Sequence, residues 1–145
     1  MAQIVAIKGL DEMVSNMKAA ADNIRASLEK GMDKATTFFI GQLPDEASIP
    51  EPEGSAYTRT GTMMRSVGQE VRTLGVDVVG VVFVGAIAPY APWVISSEVG
   101  NNGAGPQARI HQGRWFTLQG ELKKNMDAIR NIILDAVTAL AKGGR

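Results

Sequence analysis

Apolar residues recur three and four apart along the first third of the chain, at Leu10, Met13, Met17, Ala20 or Ala21, Ile24, Leu28, Met32, Ala35 and Phe39. That spacing predicts one long helix with one buried stripe. Asp11 is placed to cap its start, and Gly41 followed by Pro44 to stop it. Gly31 lies inside, where it is expected to loosen or kink the helix at a cost of about 1 kcal/mol relative to alanine. The same spacing returns at Trp115, Leu118, Leu122, Met126, Ile129, Ile133, Ala136 and Leu140, and ends at Gly143-Gly144. Lys123, Lys124, Asp127, Arg130 and Asp135 fall on the other face, so this second helix is expected to have one wet side. At about 1.5 Å per residue each helix reaches roughly 40 Å, longer than a compact domain of this size is wide, and some helical length should project.

Between the helices the period shortens to two. Val67 and Val71 alternate with Gly68, Glu70 and Arg72, a strand with one covered face. Gly75 marks a turn, and a second strand follows over Val76–Val84. Past Asp77 it is apolar on both faces, with Val78, Val82 and Val84 on one and Val79, Val81 and Phe83 on the other. A small sheet with two helices covers one face easily, so the face of Val79, Val81 and Phe83 is expected to meet a neighbouring subunit. The competing arrangement has the helices wrapping both faces of a monomer. Ile4-Val5-Ala6-Ile7 reads as a further strand. The expected fold class is α+β, a small antiparallel sheet of three to four strands packed against two long helices.

Two irregular segments complete the chain, 41–57 with Pro44, Pro50 and Pro52, and 98–113 with Gly100, Gly103, Gly105, Gly113 and Pro106. Irregular segments of this length are usually functional or flexible, and both are expected to order on binding a partner. The length of 145 residues suits a single domain able to bury a core without disulfides. No cysteine is present, which excludes thiol catalysis, and no run of about 18 apolar residues is available to span a bilayer. The opening residues do not read as a signal peptide, so the expectation is a protein made in the cytoplasm with no membrane partner.

Fifteen basic and fifteen acidic residues cancel, but unevenly along the chain. Asp45, Glu46, Glu51 and Glu53 stand in 41–57 without a base, whereas Arg109, Arg114, Lys123, Lys124, Arg130, Lys142 and Arg145 outnumber Glu121, Asp127 and Asp135 in the last third. Such asymmetry can steer identical copies together, although a solvated acidic loop and an ordinary helix surface account for it more simply.

Little else is chemical. His111, the one histidine, has no nucleophile or orienting carboxylate beside it in sequence, and no phosphate loop, zinc helix or nucleophile elbow is present. No enzyme activity and no cofactor or metal are expected. Arg109, His111, Arg114, Lys123 and Lys124 could touch nucleic acid, but zero net charge and the lack of interleaved aromatics argue against a dedicated binder.

Two short signatures flank the hairpin: Tyr57-Thr58-Arg59-Thr60-Gly61 before it, and Tyr90-Ala91-Pro92-Trp93-Val94 leading to Glu98-Val99-Gly100 after it. Arg59 is suited to bind a carboxylate, either Glu98 of its own chain or an acid on a neighbour. Thr60-Gly61 supplies a turn where a loop meets a strand. Pro92 suits the first turn of a short helix begun at Tyr90-Ala91, with Gly100 available to end it. Trp93 in such a place is more often core, but if exposed it would anchor an interface.

The order of these elements resembles the gene-product-ten-like family of lambdoid siphophages, the tail-completion or head-tail joining proteins. The resemblance spans nearly the whole chain, from Gly9-Leu10-Asp11-Glu12-Met13 through Arg59-Thr60-Gly61-Thr62-Met63-Met64-Arg65-Ser66, Tyr90-Ala91, Glu98-Val99-Gly100 and Trp115-Phe116 to the last helix. It departs where Ile95-Ser96-Ser97 separates the Tyr-Ala turn from the Glu-x-Gly triplet, where Val99 replaces an aromatic, and where Gly113-Arg114-Trp115-Phe116 replaces a Pro-Phe. The resemblance implies a structural protein of the phage neck that joins head to tail as a ring, a hexamer by family precedent. Its implied partners are further copies of itself, a head-closure or connector protein, and a tail-tube or tail-terminator protein. DNA would pass through the lumen without sequence-specific binding, and the protein would sit in the virion after assembly in the host cytoplasm. Alternatives are a tail terminator or minor tail protein, or a small nucleic-acid-binding accessory protein acting through the Arg109 to Lys124 region.

Overall fold

The computed structural model describes residues 10–49, 60–85, 87–95 and 108–143. A long helix, α1 (Leu10–Gly41), leads through a short 3-10 turn at Glu46–Ser48. A one-turn helix, α2 (Thr62–Arg65), precedes the hairpin β1 (Gly68–Leu74) and β2 (Asp77–Phe83). A second short helix, α3 (Ala91–Ile95), a 3-10 turn at Arg109–His111 and the long helix α4 (Leu118–Gly143) follow. The class is α+β, as the periodicities predict.

The sheet among the described residues has two antiparallel strands, β1 and β2, rather than three to four. The further strand expected at Ile4-Val5-Ala6-Ile7 lies outside the described residues. The hairpin closes through Gly75 and Val76, with Leu74 opposite Asp77. Gly75 has φ +65 at the first central position, which the hairpin turns matching strand twist require of that residue.

Helix α1 is the spine. One of its faces carries the hairpin, and Gly80 lets the strands come close. A Cβ there would fall 2.6 Å from Met32 Cγ and 2.7 Å from Thr36 Cγ2. Thr36 is buried, and its hydroxyl is satisfied by donation to the carbonyls of Met32 and Asp33. Polar links bind the hairpin to the same helix, from Gln69 Nε2 to Thr37 Oγ1 at 2.8 Å and from Thr73 Oγ1 to Glu29 Oε1 at 2.8 Å.

A second face of α1 carries α4. α1 runs unbroken through Gly31, which is the contact point, since a Cβ there would lie 2.9 Å from Ala136 Cβ and 3.3 Å from Ile133 Cα. The residue after α1 that turns back into the fold, Glu46, shares a recess with Met63 and Trp115. Trp115, Phe116 and Leu118 pack beside Met63 where α4 begins. The end of α1 and the start of α4 therefore lie together, and the two helices run antiparallel. Counting from Ile133 to Gly143, and back along α1 from Gly31, places Gly143 level with about Ala21. Residues 11–26 of α1 are all exposed, so the projecting helical length expected from the sequence belongs to this end.

The helix boundaries differ from the sequence reading for local reasons. Leu10 already belongs to α1, so Asp11 and Glu12 sit in its first turn, where carboxylates favour the positive end of the helix dipole. Trp115 and Phe116 precede α4, because Thr117 caps it. The Thr117 hydroxyl accepts from the Gly120 amide at 3.0 Å, which leaves the two aromatic rings free to turn into the core.

Candidate interaction surface

The segment before the hairpin folds as a cap for α2 and does not run straight into a strand. Gly61 takes φ +68 as its N-cap, a conformation open to glycine. The arginine that braces the turn is Arg65, which the sequence reading did not single out. Its guanidinium donates to the Thr60 carbonyl at 2.8 Å and to Thr62 Oγ1 at 3.2 Å. Thr60 and Thr62 share a further hydroxyl contact at 2.7 Å. The braced turn drives Met63 inward, where it is buried with Ala88, Ala91, Val94 and Ile95. Arg59 and Glu98, the expected ion pair, lie outside the described residues, as do Tyr57, Val99 and Gly100.

Behind the hairpin, α3 has only five residues and buries one side. Ala91, Val94 and Ile95 fall one turn apart and face the Met63 cluster. Trp93 falls opposite and is 56% exposed, so of the two placements open to it in the sequence it takes the exposed one and not the core. Tyr90 is 45% exposed and Ile87 is exposed as well. The Ala108 amide donates to the Trp93 carbonyl at 2.7 Å and so ties the last third of the chain to this helix. Tyr90, Trp93, Val94, Glu46, Met63, His111 and Trp115 line a recess of about 220 Å³.

Glu46 is only 7% exposed, contrary to the solvated acidic loop expected for 41–57. The Asp45 carboxylate accepts from the Ala47 amide and the Ser48 hydroxyl donates to the Asp45 carbonyl at 2.6 Å, which builds a turn and faces Glu46 inward. An Asp followed three residues later by Ser, just after a proline, is the signal for this turn in the sequence. Residues 41–49 and 108–113 are thus folded within the chain itself, and 50–57 and 98–107 of the two irregular segments lie outside the described residues.

His111 meets the Trp115 ring edge-on, with centroids 6.4 Å apart. Burial, and secondarily the Arg114 guanidinium, hold its pKa below the usual 6.5. The folded chain therefore resists protonation that the unfolded chain accepts, and His111 contributes stability above pH 6.5 that is lost as the pH falls through its lowered pKa. A pH series of thermal unfolding should show wild type losing ground to His111→Gln below pH 6.5. Parallel curves would refute this assignment. Arg109 and Arg114 are exposed on either side of His111. Lys124 is engaged with the buried Glu121 carboxylate at 2.6 Å, which leaves less basic surface at this end than the sequence suggests.

On the hairpin, Gly80 faces α1, so Val79, Val81 and Phe83 occupy the opposite side. Val79 and Val81 are half-buried and Phe83 is 38% exposed, its ring lying across Gly68 on the paired strand. The outer face is less bare than the alternation predicts. Val84, next along, packs against the Met63 cluster, so Phe83 ends the hairpin on the approach to α3.

Among the described residues no group of three or more His, Cys, Asp or Glu side chains converges as a metal site, and no helix is long and apolar enough to cross a membrane. No family model, curated protein or solved structure matches the chain.

Proposed function

We propose that this chain is a structural protein of the neck of a tailed bacteriophage, a tail-completion or head-tail joining subunit that assembles as a ring between the head connector and the tail. The observation that carries the reading is the order of short motifs along nearly the whole chain, three of which fall at joins among the described residues. Gly61 opens α2 before the hairpin, Tyr90 leads into α3 after it, and Trp115-Phe116 precede α4. The exposed Tyr90 and Trp93 beside a recess are the kind of aromatic anchors that dominate protein interfaces, and they support a docking role. The mechanism is assembly without bond chemistry. Copies meet through the Phe83 side of the hairpin or by strand addition at its edge, with the α3 surface turned to a head or tail protein.

Phe83→Glu tests the subunit contact. It should leave the circular dichroism of the free protein intact and lower the titre of infectious particles by about 100-fold, as an unpaired charge costing about 3 kcal/mol at each contact would. Normal titres would remove the hairpin from the interface. Imaging of purified virions tests the assignment itself, and particles whose necks lack this chain would end it.

A further inference from the structure

We propose that the outer edge of β2, with the groove between it and α4, receives residues 4–7 of a second copy as a third strand. The proposal rests on the ring reading above only for its repetition from copy to copy. Among the described residues β2 pairs with β1 alone, and no other backbone hydrogen bond reaches either strand. Every second residue of β2 therefore turns its amide and carbonyl away from β1. The two edges are not alike. β1 carries Glu70 and Arg72, which pair with each other, and charges on an edge discourage a further strand. β2 has neither a charge nor a proline from Val78 to Val84.

That edge overlooks an apolar groove. Around α1, at about 100° per residue, Thr37 and Glu29 reach β1, Thr36 and Met32 meet Gly80 of β2, and Leu28, Ala35 and Gly31 follow in turn toward α4. The order around the helix is therefore β1, β2, α4. The unpaired edge of β2 faces α4 across Leu28 and Met32, both half-buried. Because α4 runs antiparallel and touches Gly31 through Ile133 and Ala136, the side it turns to this groove carries Ile133, Val137 and Met126. Met126 is 40% exposed there. A strand set at the usual spacing of about 4.8 Å from β2 would lie over this floor.

Ile4-Val5-Ala6-Ile7 suits the place by pattern, and reach makes it another copy's. It is apolar on both faces and bounded by Gln3 and Lys8, the pattern of a strand covered on both sides. Its own hairpin is too far away. Val78 pairs with Thr73, and Thr73 bonds to Glu29, so the near part of β2 lies level with Glu29. From Leu10 to Glu29 α1 rises about 28 Å, whereas the stretch from Ile4 to Leu10 extends at most about 21 Å. The long helix thus carries the segment away from its own hairpin and toward a neighbour's. One copy's segment on the next copy's edge is a head-to-tail contact, which closes as a ring when the rotation fits.

The absence of cysteine makes the test direct. Val5→Cys mixed with Val81→Cys at about 100 µM and treated with a short bis-maleimide should give a linked pair, in the affinity range of a single added strand. Adding Ala6→Pro or Ile7→Pro to the first variant tests the ladder. Adjacent amides point to opposite sides of a strand, so one of the two prolines should reduce the yield by about tenfold or more. Deleting residues 2–8 should leave thermal unfolding of the dilute protein unchanged. The proposal is overturned by the absence of a linked pair, by a link that survives both prolines, or by a destabilised deletion variant. A double variant that links within one chain at about 1 µM overturns it too, since that reach is excluded here. Linked pairs from a chain that virion necks lack would end the phage reading and leave this contact standing. Necks that contain the doubly substituted chain but show no link would do the reverse.

Discussion

Met63→Ala will lower the unfolding free energy by about 3 kcal/mol, the usual cost of emptying a buried methionine site. Met63 is 2% exposed and sits among Ala88, Ala91, Val94 and Ile95, with Val84, Trp115, Phe116 and Leu118 around that cluster. These neighbours come from three short segments and the start of α4, so one side chain holds together elements that share no sheet or long helix contact. Alanines already occupy two of the surrounding places, which leaves little bulk able to move into the void. The same residue lines the recess beside Trp93 and Trp115, so tryptophan emission should shift in the folded variant. Met63→Leu, which keeps the volume, should cost less than about 1.5 kcal/mol. Urea unfolding of the three proteins checks the series, and a loss below about 1 kcal/mol for Met63→Ala would mean the cluster is not the stabilising centre.

Gly31→Leu will cost about 2 kcal/mol, even though leucine is the better helix former by nearly 1 kcal/mol. The gain in propensity is local, whereas the loss is a backbone overlap. A Cβ at residue 31 would meet Ile133 Cα at 3.3 Å and Ala136 Cβ at 2.9 Å. Neither atom can rotate away, so α1 and α4 must separate and loosen their packing along the seam. Gly31→Ala brings the same Cβ against the same atoms and should cost about 1 kcal/mol, less than leucine because it adds no further bulk, and Ala136→Gly should recover part of the Gly31→Leu loss because it removes one of the two clashing atoms. Additive losses in that double variant would place the contact elsewhere. If Gly31 served as a kink, both substitutions would stabilise the protein.

The elements were legible because their causes are local. The three-and-four spacing from Met13 to Phe39 and from Leu118 to Leu140, and the alternation around Gly75, depend only on backbone geometry. The hairpin register follows from the turn, since two residues between Leu74 and Asp77 leave one pairing for the strands. The interaction surface was less legible. Trp93 reads as core in a linear sequence, because nothing local says that α3 will be five residues long and bury Ala91, Val94 and Ile95 instead. Glu46 reads as a solvated acid until the Asp45 turn faces it inward. Arg65, which no sequence motif singles out, braces the Thr60-Gly61 turn, because a single helical turn returns it to the carbonyl five residues back.

The sequence by itself determined the α+β class, the two long helices with their apolar stripes, the hairpin and the positions of the joins between them. Each of these is set by side-chain period and by residues with restricted backbones, within a window of a few residues. The tertiary structure alone decided that α1 is the spine, that Gly31 and Gly80 are places where α4 and the hairpin come close, and that the first half of α1 stands clear. Those outcomes depend on which faces meet at long separation in the chain. A periodic stripe states that a face is apolar but not what will cover it, and along Met13, Met17 and Ile24 the chain leaves that face uncovered.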